Sequence, residues 1–519
     1  MMPNFKKYNY NQDTMIVINF EQQLQPNTFE YTLHYLIDNH IDLSAFYDKY
    51  TNDEGGRTAY DPAILLKIIL FAYSKGITSS RDIQWQCQNN IIFKALSCDT
   101  EPHFTSIAQF VSGYPDAIES IFEQVLLVCD EQGLLGNQLF AIDGCKMPSN
   151  ASKEHSGTFK ELAQKQKKIH KRIRQCLREH QKLDGRRPQE RDRKKRLAQE
   201  ADALEKHFVK IDQFLKTHEP RIGVGKRNKE VKSNITDNES AKMHTSKGTI
   251  QGYNGVATVD KKHQIIIDAQ TFDASQEQHV LQPVLESVKD RYHRLGLSDD
   301  ILQEQVIITA DTGFSSAAND DYLQKNKVNA YIPDNQFRSR DSKFKTQKAK
   351  HGKRHQDKVV GVKEVIPASE FRFNFKKKTC RCPEGNDMWL KHEYSQGPGR
   401  LQLHFEGKLT DCRHCLRKHE CMRNPSSADT REGHDRQVSK TFSTHTNATD
   451  WMKKRVDSQK GKTIYAHRMS VVEPVFGNME SNKRLNRFSL RGKKKVEGQW
   501  QLYCLVHNIE KLMNYGAVA

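Results

Sequence analysis

The sequence predicts an α/β fold. It reads as a mixed sheet covered by helices, preceded by a helical N-terminal domain and interrupted by a helical hairpin and a small Cys-rich insertion. Three observations predict it. Short apolar runs within Leu139–Ile142, Gly252–Asp260, His263–Thr271 and Val306–Ala310 are bounded by turn residues and read as strands. Stretches with apolar residues three and four apart read as helices around them. The elements run strand, insertion, two strands, helix, strand, helix, strand, the order of an α/β core with insertions.

Each element follows from its residues. Asp61-Pro62 is an N-cap and first-turn pair, and Ile64, Leu65, Ile68, Ile69 and Ala72 recur at helical spacing up to Gly76. Ser79 and Asp82 resemble a capping box and predict a helix over Ser80–Leu96. His103–Val111 and Pro115–Glu131 complete a set of short helices that suits a helix-turn-helix-like DNA-binding module or a plain bundle. Ile169, Ile173 and Cys176, then Leu197, Leu204, Phe208, Ile211 and Leu215, lie on either side of Asp184-Gly185-Arg186-Arg187-Pro188. They predict an antiparallel helical hairpin. Gly252–Asp260 and His263–Thr271 form a hairpin through Asp260-Lys261-Lys262. A helix over about 275–295, the Val306–Ala310 strand, a helix at Asp320–Asn326 and a strand at Ala330–Pro333 follow. Trp500–Asn514 closes the chain as a helix, with His507 and Asn508 read as structural.

The 519 residues allow two to four domains. The expected divisions are an N-terminal segment, 1–56, ending in the loop signal Asn52–Gly56; a helical DNA-binding domain, 57–135; the first part of the core, 136–151; the hairpin insertion, 152–232; the core, 233–335; a basic loop and Cys-rich insertion, 336–440; and the closing part of the core, 441–519.

A net charge of +18 and a pI near 9.2 point to a polyanionic partner, nucleic acid above all, because the charge is gathered in blocks such as 336–358. A mean hydropathy of −0.79 and the absence of an apolar run near the ~18 residues of a membrane span exclude a membrane protein. The opening MMPNFKKYNY lacks the apolar stretch of a signal peptide, so a cytosolic, reducing setting is expected. There, Cys380, Cys382, Cys412, Cys415 and Cys421 read as a zinc cluster rather than disulfides. His414 and His419 are further candidates.

The acidic residues carry the chemistry. Asp143 ends the first apolar run and is followed by Gly144, Asp311 ends the fourth, and Glu473 sits among Arg, Lys and amide side chains. In a basic chain, two strand-end aspartates and a late glutamate point to metal-dependent phosphoryl transfer on nucleic acid. Mg²⁺ (or Mn²⁺) takes hard oxygen ligands and keeps several waters, so a few carboxylates suffice.

The stretches YDPAILLKIILFAYSKGITSSRDI, AIDGCKMPSNASKE, ITADTGFSS, and YAHRMSVVEPVFGNME with WQLYCLVHNIEKL resemble those of a DDE transposase of a bacterial insertion sequence. The resemblance spans about Tyr60 to Tyr515. It implies an RNase H-like core whose catalytic, Mg²⁺-holding residues are Asp143, Asp311 and Glu473. Tyr465 and Arg468 match the Tyr-x-x-Arg pair expected at terminal phosphates. Four residues separate Arg468 from Glu473 where the commoner pattern has three. Glu480 stands where a lysine is usual, so Lys483 and Arg484, one turn on, become the expected phosphate contacts. The resemblance further implies double-stranded DNA as partner, a homodimer on paired ends and a cytoplasmic, nucleoid-associated location. The alternatives are an endonuclease that does not join strands and a regulator that binds DNA without catalysis.

Overall fold

Asp61 caps the first long helix as its type dictates, accepting the Ala63 N–H at 2.7 Å, with Pro62 in the first turn. The structure, a computed structural model, describes residues 11, 17–50, 55, 58–183, 187–223, 229–246, 248–274, 276–304, 306–341, 343, 365–395, 400–443 and 447–517. The start of the chain, most of the 52–56 loop signal, the hairpin break at 184–186 and most of the basic stretch 336–358 lie outside them. The described residues fall into two compact units.

The first unit holds 1–314, 327–332 and 463–519. Its helical part is α1 (Phe20–Gln23), α2 (Phe29–Asn39), α3 (Pro62–Ser74), α4 (Ser80–Asn89), α5 (Ile91–Ser97), α6 (Phe104–Gly113) and α7 (Pro115–Glu131). It begins before residue 57: Leu33, Leu36 and Phe46 are fully buried, and Phe46 stacks on Phe110. The single helix expected over Ser80–Leu96 is two. Asn90 takes an extended conformation and its side chain caps α5 through the Ile92 N–H, the local competition with helix that asparagine favours.

The sheet contains β1 (Leu139–Pro148), β4 (Ala241–Thr245), β5 (Gly248–Asp260), β6 (Ile266–Phe272), β7 (Ile307–Ala310) and β8 (Ala330–Tyr331); β2 (Ser156–Gly157) and β3 (Ser233–Asn234) pair separately. β6, β5 and β1 run antiparallel, and β1, β7 and β8 parallel, the mixed sheet expected of an RNase H-like core. Between β1 and β4 the hairpin forms as predicted, from α8 (Phe159–Lys182) and α9 (Pro188–Thr217). Thr158 and Glu161 make a full capping box at its start. Ile169, Ile173, Leu204, Phe208 and Ile211 make one seam cluster, and Cys176 and Leu197 a second. α10 (Leu281–Arg294) starts later than expected, after a 3₁₀ turn at Glu277–His279.

The last helix, Lys493–Tyr515, is buried from Gly498 to Ile509, on all faces rather than on one stripe. The Trp500 indole donates to the Val256 carbonyl, and the Asn508 amide pairs with both backbone groups of Ile266. Tyr503 stacks on Tyr73 of α3 at 4.4 Å, so the closing helix joins the helical part to the sheet.

The second unit holds 315–326 and 333–462. It contains α11 (Ala317–Lys325), α12 (Phe337–Arg340) and a five-stranded antiparallel sheet. The sheet is β9 (Arg372–Asn374), β10 (Thr379–Arg381), β11 (Asp387–Ser395), β12 (Arg400–Glu406) and β13 (Gln437–Ser443), in that spatial order. The short helices α13 (Leu409–His414) and α14 (Lys418–Cys421) lie between β12 and β13, and α15 (Ala448–Asp457) follows.

Candidate active site

Ile142 and Ala310 are the last pair of the parallel β1–β7 ladder. Asp143 and Asp311 therefore leave neighbouring strands at the same level, their backbones about 4.8 Å apart by strand spacing. The expected strand end at Asp143 needs correction. β1 runs on to Pro148 because β5 pairs with it throughout, from Phe140 to Pro148. Only the β7 side of the ladder stops before Asp143, at Ile142.

The Asp143 carboxylate accepts the Gly144 N–H at 2.9 Å and pairs with the Arg468 guanidinium at 2.7 Å. Burial raises its pKa above the usual carboxylate range. Arg468 and the Gly144 N–H pull it back, while the negative charges of Asp311 and Glu277 add to the rise. Asp311 is held by its successor, accepting from the Thr312 N–H at 2.6 Å and hydroxyl at 3.3 Å.

Arg468 lies on α16 (Gln459–Gly477) and is only 5% exposed. Its Nε is buried without an acceptor. The expected phosphate ligand is thus turned onto the first aspartate. Glu473, on the same helix, is exposed, and among the described residues nothing pairs with it. Pro474 beside it removes the N–H that the Ser470 carbonyl would accept, and the Gln264 amide takes its place at 3.0 Å. Tyr465 is half-buried.

Lys483 corrects an expectation. It is fully buried and ion-paired with Glu510 at 2.6 Å, and burial holds its pKa below the usual lysine value. A lysine so placed is not a phosphate ligand. Arg484 is exposed, at φ 54, with its stem along Gly76. Glu480 lies on the π-helical turn Asn478–Asn482. Its charge reaches Cys145, whose pKa is pushed up to about 12 by burial, then Asp143, then Glu480.

Sequence reasoning missed Glu277. Its carboxylate pairs with Lys146 at 3.3 Å and lies where a Cβ on Gly313 would meet it at 1.9 Å, two residues past Asp311. The bareness of Gly313 was the available signal, legible only once the turn is placed beside it.

In the second unit, Cys382, Cys412, Cys415 and Cys421 line one cavity, whereas Cys380 does not. Cys380 is buried in the core of the small sheet, its sulfur 3.8 Å from that of Met388, because it pairs mid-strand opposite Met388 and Phe373. His414 and His419 are exposed and do not line the cavity. Among the described residues, no three His, Cys, Asp or Glu side chains are drawn together at the spacing of ligands to one ion. No described helix is long and apolar enough to cross a membrane.

Residues 18–113 match a family described as a transposase domain, and residues 381–513 match the transposase DDE domain. The second match takes in Arg468 and Glu473 and leaves Asp143 and Asp311 outside it. No curated protein matches the chain. The helical part and the closing part of the chain thus each carry a transposase domain, around a mixed sheet with paired aspartates, and the protein is a DDE transposase of an insertion sequence.

Proposed function

We propose that this protein cuts DNA at the ends of its element and joins the freed ends to target DNA by metal-dependent phosphoryl transfer. The observation that carries the reading is the emergence of Asp143 and Asp311 side by side from parallel strands. Their hard carboxylate oxygens, with those of Glu277 nearby, are a donor set that suits Mg²⁺ or Mn²⁺. Asp143 and Asp311 would hold the ions, with Glu473 as third carboxylate from α16. Bound divalent ions activate an attacking oxygen and stabilise the leaving one.

The protein groups have their own parts. Asp143 must be ionised to act, and Arg468 favours that form. With a cation on that carboxylate, the Arg468 guanidinium would be free to face a phosphate, a role that Tyr465 and Arg484 would share. In the cut, water displaces the 3′ oxygen at the scissile phosphate. In joining, that freed 3′-hydroxyl attacks a target phosphate and releases a target 3′ oxygen, so no protein nucleophile is needed. A groove of about 1200 Å³ whose walls include Lys229, Lys242, His244 and His279 offers a basic surface for the duplex, and Gln276 and Gln278 in its wall flank Glu277. Two chains would hold the two ends, on the nucleoid in the cytoplasm.

The test is incubation of the protein with a supercoiled plasmid carrying the element's terminal repeats, in Mg²⁺ or Mn²⁺. Cuts at the repeats and joined products are expected. Cuts without joining would favour a plain endonuclease, and binding without cuts in either metal would overturn the enzyme reading.

A further inference from the structure

Between Lys408 and Gln437 the second unit builds two helices of six and four residues and a 3₁₀ turn at Pro425–Asp429. Helices that short do not stand alone in water. A hydrophobic core would normally hold them, yet across this stretch only Met422 and Ala428 are buried. The buried residues of the small sheet's apolar cluster run to Phe405 and resume at Val438, and of this segment Cys421 packs against them. Apolar burial thus holds little of the segment, and backbone-directed hydrogen bonds, Ile366 N–H to the Glu420 carbonyl and Arg436 to the Ile366 carbonyl, hold part of it.

What its elements share is sulfur. Cys412 comes from α13, Cys415 from the residue after it and Cys421 from the end of α14. Cys382 opens the Cys382–Gly385 turn between β10 and β11, closed by Cys382 N–H to the Asn386 carbonyl and Gly385 N–H to the Cys382 carbonyl. All four side chains line a single small cavity of about 40 Å³. That exceeds the ~10–15 Å³ a single water needs. Arg417 and Arg436 line it too, with Glu384, Asp387 and Asp411. The four side chains stand around the cavity rather than closed on a centre.

We propose that Cys382, Cys412, Cys415 and Cys421 form a structural site for one Zn²⁺, which fastens the 408–436 segment to the β10–β11 turn. Four thiolates at about 2.3 Å are a closed tetrahedral set for zinc, with no open position and no part in catalysis. Each thiol gives its proton to the buffer as its sulfur binds, and the side chains turn inward from their positions in the free chain. Cys380, two residues before Cys382, stays in the sheet core. The site is independent of the phosphoryl-transfer reading, since it lies wholly in the second unit and its readouts need no DNA.

The test is metal analysis of the full chain, purified under reducing conditions without chelator from zinc-supplemented cells, with Co²⁺ substitution of the same protein. About one zinc per chain is expected. Cys380→Ser should retain it, whereas Cys382→Ser and Cys415→Ser should each lose most of it. In the wild-type chain the cobalt spectrum should show the intense thiolate charge-transfer and visible bands of a tetrahedral four-sulfur site, a readout that no variant's misfolding disturbs. A zinc-free wild-type chain that also gives no tetrahedral cobalt spectrum would overturn the proposal. So would zinc loss in Cys380→Ser with retention in Cys382→Ser.

Discussion

The Arg468 guanidinium sits 2.7 Å from the Asp143 carboxylate, and of the two side chains only the aspartate keeps appreciable exposure, 24% against 6%. An arginine drawn from α16 into the sheet thus guards the first carboxylate while leaving it open to solvent on one side. Such a pair is a device for ionisation as much as for stability, because the Asp143 pKa stays raised by burial even with the cation beside it.

The pH dependence of cleavage should therefore move in opposite directions in two variants. Arg468→Gln removes the charge that lowers the Asp143 pKa, so the acid limb of single-turnover cleavage should shift to higher pH. Glu277→Gln removes a charge that raises it, so the limb should shift to lower pH. Rate–pH profiles of both variants check this, and a shift in the same direction in both would contradict the electrostatic assignment.

Lys483 and Arg484 are adjacent in sequence and opposite in environment. Arg484→Ala should reduce the slope of log affinity against log salt by about 0.9, the share of one phosphate contact. Lys483→Ala should leave that slope unchanged and lower stability by about 3 kcal/mol, since it strands Glu510 beside a buried gap. Salt titrations of DNA binding and denaturant melts separate the two. A lowered slope in Lys483→Ala would return that residue to the DNA surface.

His507 is buried, its Nε2 2.9 Å from the Gln264 carbonyl, and burial lowers its pKa to about 3. The folded pKa lies below the unfolded one, so the unfolded chain binds the extra proton between about pH 6.5 and 3. The stability this group provides is present above 6.5 and lost as pH falls through that window. His507→Gln should be less stable at pH 7, through lost packing. Its deficit should narrow by a few kcal/mol toward pH 4. Urea melts at the two pH values measure this, and a constant deficit would mean the imidazole charges without penalty.

Local signals in the sequence were reliable where one residue settles the backbone. Pro115 opens α7 and the helix ends at Glu131 as expected; the two arms of the hairpin follow their apolar spacing; and β5 to β7 appear where β-branched runs predict them. The side-by-side exit of Asp143 and Asp311 was anticipated as chemistry, but their shared level comes from strand register. What was not legible depends on distant partners. Glu510, 27 residues later, draws Lys483 inside. β5, more than a hundred residues on, extends β1 past Asp143. Glu277 joins the site only because the Glu277–His279 turn meets the Thr312–Phe314 turn. Cys380 and Cys382 look equivalent as a pair, and only strand pairing separates the core thiol from the cavity thiol.

The most direct measurement is Mg²⁺-dependent cleavage of element-end DNA by Asp143→Asn and Asp311→Asn, beside wild type, with DNA affinity measured on the same preparations. The account predicts that each variant loses cleavage by about a thousandfold or more, the scale of electrostatic and metal-assisted stabilisation in phosphoryl transfer, while affinity stays within a few-fold. Undiminished cleavage by either variant would contradict it, because the two aspartates that the sheet brings together would not be the residues that act.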